Sequence, residues 1–577
     1  MNNEFKMKES LDFAISDAER EIADKSVQMA LDAGASAVMV SLDKAKTEIY
    51  ALLDGEIDNI RQTGDRSLTF NIYADGKYGT FSTNRFEEDS LRDFLCKAVE
   101  TVRMLVADPF RGLPDKKDLA TDAVNGDEMG LCWYGYDSVT REEKLEMARR
   151  VSVFGEFSAP SSDRNWRVVS EEVEYNNTLS DTYLTSSDGC RCRETETSFE
   201  VSSQVTVEDN DGNKYSGLWW DYDVSPEKVL SSECGRKAVE MAVMQIAPVN
   251  ADKGKYTMVV SRLVSGRLLQ PVLNALSSLS VYQKSSFLVD ALGKQVFSKG
   301  LNVMDMPLEK GKSGAILFET DGRACRNREI ISDGVVKENF TSIYMSRKLG
   351  IPPTSSCPNR PVLQPFVSEE LLGGERGGEL GVASGDGRGV ASGDGHGAEL
   401  GEMSGSGLCD DCGEVSGAVF GAASGGRGVE LGAASGDGRG VEFGAVSGGE
   451  RGVERGAVSG GGRGTELAGG LGAERGLKSD PFVNEIAQKD ILDLCGSGIL
   501  VTDFNGGNCN SATGDFSYGV SGFLFENGKI TSPIDSMLIT GNMTDLWSNL
   551  LAAGSDPVPG MSRQVPTLAF RDVTFNA

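Results

Sequence analysis

Histidine is almost missing from this chain: His396 is the only one in 577 residues. That scarcity removes most hydrolase mechanisms, because histidine is the usual general base and a common zinc ligand. Long apolar runs are missing too. No stretch reaches the ~18 residues that a membrane-spanning helix needs, so no membrane partner is expected. Met1 to Arg20 alternates charged and apolar residues and lacks the apolar stretch and cleavage site of a signal peptide, so a cytoplasmic protein is expected. Clustered Lys and Arg are absent, and the formal net charge is −29. A groove that tracks phosphates needs such clusters, so nucleic acid is not an expected partner. The 11 cysteines are odd in number and irregularly spaced, which suits reduced thiols better than a disulfide framework.

The first part of the chain alternates helix and strand signals. Ser16 and Glu19 have capping-box spacing, and Gly34 offers a stop. Between them Ala18, Ile22, Met29, Ala30 and Ala33 fall on one helical face. Ser36 to Asp43 and Thr47 to Leu53 read as strands, and Asp54-Gly55 and Asp75-Gly76 as turns. Leu91, Phe94, Leu95, Ala98, Val102 and Leu105 mark an amphipathic helix. From Val168 to Trp220 the pattern is β-rich, with a turn at Asn210-Asp211-Gly212. Ser225-Pro226 opens a helix expected to run to about Ile246. Tyr256 to Val260 reads as a strand, Ser265 to Leu279 as a helix, and further strands are expected up to Leu349. Near the end, Ile499-Leu500-Val501, Gly519 to Phe525 and Thr567 to Phe570 are strand-like, with a hairpin turn at Asn527-Gly528.

Between Gly373 and Gly476 the composition breaks. The tract is mostly Gly, Ser, Ala, Glu and Arg, and units resembling Arg-Gly-Val-Glu-x-Gly-Ala-x-Ser-Gly begin at Arg427, Arg439, Arg451 and Arg463. It has too few large apolar residues to offset its ordering entropy, so a disordered insertion is expected. The expected organisation is an α+β fold with mixed and antiparallel sheets. Residues 1–223 form one domain, and residues 224–372 with 477–577 form a β-rich second domain. Residues 373–476 are the insertion.

Several motifs fail on inspection. Gly311-Lys312-Ser313 lacks the earlier glycine of a P-loop, since that position is Met306. Asp209-Asn210-Asp211-Gly212 has the wrong spacing for a calcium loop and reads as a hairpin turn. Cys409-x-x-Cys412 and Cys190-x-Cys192 each lack a second ligand pair for zinc and read as free thiols.

A resemblance is carried by separate segments in a fixed order. They are Tyr73-Ala-Asp-Gly-Lys-Tyr-Gly-Thr-Phe-Ser-Thr-Asn84, Asp108-Pro-Phe-Arg-Gly-Leu-Pro-Asp115, Val281-Tyr-Gln-Lys-Ser-Ser-Phe-Leu288, Leu292-Gly-Lys-Gln-Val296, Ser346-Arg-Lys-Leu-Gly350, Thr513-Gly-Asp-Phe-Ser517, Gly522-Phe-Leu-Phe-Glu-Asn-Gly528 and Ile539-Thr-Gly-Asn542. In these the chain resembles the TldD/PmbA family, once called modulators of DNA gyrase and regarded as peptidase subunits. The middle segments are similar to the PmbA/TldE branch.

The resemblance implies a two-domain α+β protein that pairs with a TldD-type subunit and acts on unfolded or extended peptides. TldD-type chains carry His-Glu-x-x-x-His on a helix, with a Cys near the C-terminus completing a zinc site. The matching helix here reads Leu268-Leu-Gln-Pro-Val-Leu-Asn-Ala275, so Gln270 and Ala275 stand at the His positions and Pro271 at the Glu position. Gly554 to Thr567 contains no Cys. The resemblance therefore implies a metal-free, non-catalytic subunit with no cofactor of its own, and zinc in the TldD-type partner. Two other readings compete with it: a stand-alone hydrolase with a carboxylate-bound metal, and a regulatory binder of the gyrase-modulator type.

Overall fold

The structure, a computed structural model, describes residues 11–373 and 486–576. Beyond Gly373 the repeat tract lies outside the described residues, and so do His396, Cys409 and Cys412.

Six strands form the first sheet: β1 (Ala37–Leu53), β2 (Glu56–Ala74), β3 (Lys77–Thr83), β4 (Trp166–Ser186), β5 (Arg191–Asp209) and β6 (Lys214–Asp223). Their order is β3-β2-β1-β4-β5-β6, and every neighbouring pair is antiparallel. The two stretches read separately as Ser36 to Asp43 and Thr47 to Leu53 are one strand, because β1 is paired on both sides along its length. The turns follow local chemistry: Asp54 and Gly55 have φ of 52° and 84°, and Asp75 and Gly76 have 53° and 71°. Leu68, Phe70 and Ile72 alternate towards one face, and all three are fully buried.

Helix α1 (Asp17–Asp32) begins with the expected capping box between Ser16 and Glu19. Helix α2 (Glu88–Met104) buries Leu91, Leu95, Ala98, Val99 and Val102. Both pack on the β1–β2 face around Phe70. Ala18 is exposed, unlike the other small residues assigned to that face, because the chain enters the helix there in the first turn. The helix expected from Ser225 to about Ile246 is two pieces, Pro226–Val229 and Cys234–Val243. Ser232 separates them, accepting a hydrogen bond from the Cys234 N–H.

A second body of strands closes on itself. Gly254–Val260 runs parallel to Gly498–Cys509, with Ile499 opposite Met258, and antiparallel to Leu568–Asn576, with Ala569 opposite Val259. Asp515–Glu526 and Lys529–Asn542 complete the circuit. Each of the five strands is paired on both sides over part of its length. Its core holds Met258, Val260, Ile499, Val501, Phe570 and Phe575. The Asn527-Gly528 hairpin joins two of its strands. Strands Leu550–Ala553 and Phe366–Val367 extend the sheet from Leu568–Asn576. A separate four-stranded sheet contains Val303–Asp305, Arg328–Ser332, Val335–Val336 and Pro361–Leu363. Leu349 ends a helix, Ile343–Leu349, rather than a strand, and Gly350 closes it at φ 69°.

The architecture is thus α+β. The two parts meet where Leu184, Cys190 and Cys192 pack on Phe318, and where Trp220 packs on Val558 and Met561. Among the described residues no helix is long and apolar enough to cross a membrane.

Candidate functional site

The helix carrying the expected site positions is Gly266–Ala275, shorter than the Ser265 to Leu279 stretch read from the sequence. A second helix, Ser278–Gln283, follows after a break. Leu268, Leu269, Val272 and Leu273 anchor it in the core of the strand ring. Its start is tied to the C-terminal stretch: the Ser265 hydroxyl donates to the Val565 carbonyl at 3.1 Å, and Arg262 Nη1 donates to the Asp556 carbonyl at 3.3 Å. Trp547, fully buried, donates its indole N–H to the Leu268 carbonyl at 3.2 Å. The structure therefore brings together the two segments whose residues the sequence comparison picked out.

It does not bring Gln270 and Ala275 together on one open surface. Gln270 is half-buried, and its amide Nε2 donates to Asn274 Oδ1 at 2.5 Å. Ala275 is 3% exposed and belongs to the core. Pro271 lies between them inside the helix, where it has neither a backbone donor nor a side-chain ligand atom. An amide, a pyrrolidine ring and a methyl group do not fit zinc, which takes thiolate, imidazole or carboxylate. Asp556, in the C-terminal stretch, is occupied structurally: it accepts hydrogen bonds from the Gln488 and Thr567 N–H groups and from the Thr567 hydroxyl. Among the described residues no group of three or more His, Cys, Asp or Glu side chains is arranged to hold a metal ion.

Four thiols are poor nucleophiles where they sit: the buried Cys234 and Cys325 and the half-buried Cys132 and Cys495. Burial, then the nearby Glu319 charge, pushes the Cys325 thiol far up. Burial alone pushes Cys495 to about 12, and burial first among several causes brings Cys132 and Cys234 there too. Each is held as a thiol at neutral pH, whereas cysteine catalysis needs the thiolate. Cys190 and Cys192 lie 3.6 Å apart, both buried, and their mutual hydrogen bond lowers one thiol and raises the other.

Two polar groups escaped the sequence reading. Asp305 is fully buried and accepts from Arg360 N at 2.7 Å, Asn359 N at 3.1 Å and Arg328 Nη2 at 2.9 Å. Glu319 beside it accepts from the Ser355 hydroxyl at 2.9 Å. On β5, Glu194 and Glu196 project to the same side. Burial raises the Glu196 carboxyl to about 7, and burial with the Glu196 and Glu128 charges raises Glu194 well above the carboxylate range. The alternation of charge along Glu194-Thr195-Glu196 was visible in the sequence, but nothing local to it shows that the strand's polar face is half-buried.

Sequence models of the family match two blocks. Residues 134–246 match the PmbA/TldA metallopeptidase central domain, and residues 253–367 with 479–577 match the PmbA/TldA metallopeptidase C-terminal domain. Together they span more than half of the chain. The chain belongs to the PmbA/TldD family. Within it, "Metalloprotease PmbA" of Escherichia coli O157:H7 is 22% identical over 94% of this chain and 93% of that protein. A Haemophilus influenzae homologue of PmbA is 23% identical over 93% of this chain and 91% of its own. The fold matches a crystal structure described as a putative modulator of DNA gyrase from Bacteroides thetaiotaomicron. Its TM-score is 0.73 at 25% identity, covering 98% of this chain and 100% of that one. It also matches TldE from Thermococcus kodakarensis, with a TM-score of 0.63 at 12% identity, over 96% of this chain and all of that one. A "Zinc metalloprotease TldD homolog" from Saccharolobus solfataricus matches 18% of this chain and 24% of its own length, at 29% identity. This is therefore a PmbA/TldD-family, metallopeptidase-like chain, in a family where some relatives are named for zinc.

Proposed function

We propose that this chain is the non-catalytic, PmbA/TldE-like subunit of a peptidase whose zinc is held by a TldD-type partner, and that the assembly acts on unfolded or extended peptides. The observation that carries this reading is the donor set. The positions that would supply metal ligands and the base are Gln270, Pro271 and Ala275, and the chain's one histidine, His396, lies far along the sequence in the Gly-rich tract. The 3% exposure of Ala275 supports the reading further, since a ligand at that position would have to displace core atoms. The raised thiols of Cys132, Cys234, Cys325 and Cys495 supply no replacement nucleophile.

Metal analysis of the purified chain after dialysis tests this. Zinc well below one ion per chain is expected, and the C409S/C412S variant should hold no less than the parent once trace binding is removed by chelator. A zinc ion retained tightly at about one per chain contradicts the reading.

A further inference from the structure

Nine cysteines lie among the described residues, and one pair of them is in contact: Cys190 Sγ and Cys192 Sγ are 3.6 Å apart. Their place in the chain explains the contact. The register between β4 and β5 ends at Thr185 opposite Arg191, and Cys190 belongs to the turn beyond it. There its N–H donates to Ser186 Oγ at 3.3 Å, and its carbonyl accepts from Ser186 N at 3.2 Å. Two positions apart on extended backbone, Cys190 and Cys192 project to the same side.

Both residues are buried, but the cover over Cys190 is thin. Its neighbours Gly189 and Arg191 are exposed. Against its sulfur lies the turn Glu319-Thr320-Asp321-Gly322, closed by the Gly322 N–H on the Glu319 carbonyl at 2.8 Å, with Thr320 exposed. A Cβ at Gly322 would lie 2.5 Å from Cys190 Sγ, so the cover there is bare backbone. The pair also differs chemically from the other thiols. The hydrogen bond from Cys192 holds Cys190 below the ordinary thiol value, whereas burial holds Cys132, Cys234, Cys325, Cys495 and Cys509 above it. The thiolate is the form that attacks an oxidant, and a second thiol in contact traps the product before it oxidises further.

We infer that Cys190 and Cys192 are a reversible oxidation site, which a small hydroperoxide such as hydrogen peroxide converts to a disulfide. Cys190 sulfur attacks one peroxide oxygen, the O–O bond breaks, and the leaving hydroxide takes the Cys190 proton to become water. Cys192 sulfur then attacks the Cys190 sulfenic acid, the S–O bond breaks, and the second hydroxide leaves as water with the Cys192 proton. The two sulfurs together lose two electrons and the peroxide gains them. A dithiol reductant reverses the change. The site lies where the two parts of the chain meet, since Cys190 and Cys192 share a cluster with Leu184 and Phe318. It is independent of the proposed catalytic role.

The full chain is treated with hydrogen peroxide over a time series, quenched with catalase, denatured in iodoacetamide and cut with trypsin without reductant. Cleavage after Arg167, Arg191 and Arg193 leaves Cys190 and Cys192 on different peptides, so the disulfide holds residues 168–191 to the dipeptide 192–193. This linked species is expected by mass spectrometry, is released by dithiothreitol, and should form about tenfold faster than the exposed Cys96 is oxidised. The same pair in denatured chain should lose that lead. In C192S, Cys190 should stop at the sulfenic acid and be captured by dimedone; in C190S, Cys192 should remain a free thiol over the same series. The inference is overturned if the linked species does not form in the parent, if Cys96 reacts as fast as the pair, if the denatured chain keeps the preference, or if Cys192 oxidises unchanged in C190S. The parent measurements decide the matter even where a serine variant fails to fold.

Discussion

Glu171 has no exposed surface, yet both of its carboxylate oxygens are engaged. It accepts from the Ser152 hydroxyl at 2.6 Å, Phe154 N at 2.9 Å, Val153 N at 3.0 Å and the Ser203 hydroxyl at 3.1 Å. Replacing it by alanine strands buried donors, so Glu171→Ala should lower stability by about 3 kcal/mol in urea denaturation. A loss within error of zero would mean that water reaches these donors. Glu196 behaves in the opposite sense. Its folded carboxyl titrates at about 7, above the ordinary value of 4.5, so the folded state binds more protons than the unfolded one between these limits. Its contribution is fully present below pH 4.5 and is lost as pH rises through about 7. Glu196→Gln should therefore be more stable than the parent at pH 8 and should flatten the fall in melting temperature between pH 5 and 8. An unchanged pH profile would show that Glu196 is solvated. Neither carboxylate was legible in the sequence. Val201, Val205 and Val207 identified the apolar face of β5, but period-two patterning cannot tell that the opposite face is partly shielded from solvent around Glu196.

The elements whose signals are local were the ones the sequence made plain. The capping box at Ser16, the Asp-Gly and Asn-Gly turns and the strands they join depend on residues within a few positions of each other. The closure of the strand ring depends on Gly254–Val260 lying parallel to Gly498–Cys509, partners separated by well over 200 residues of chain, and no local pattern encodes that pairing. The helix Gly266–Ala275 shows the same limit. Its position could be read, but not the difference in surroundings between Gln270 and Ala275. That difference makes a test possible. The variant Q270H/P271E/A275H restores the ligand types, but the imidazole at 275 must enter a packed core. It should cost about 1–3 kcal/mol in stability and should not bind zinc tightly. Stoichiometric zinc in a variant as stable as the parent would show that the helix is a dormant metal site.

At the scale of the whole molecule, the chain keeps the PmbA/TldD architecture over nearly its full length while its helix lacks the donors that zinc chemistry requires. On the proposed reading, such a chain shapes a cleft shared with a catalytic subunit. The most direct test is cleavage of an unstructured peptide by this chain, by a TldD-type protein, and by their mixture, each with and without chelator. The account predicts no cleavage by this chain alone and metal-dependent cleavage by the mixture, abolished when the partner's His-Glu-x-x-x-His is altered. Chelator-sensitive cleavage by this chain alone, free of other peptidases, would contradict it.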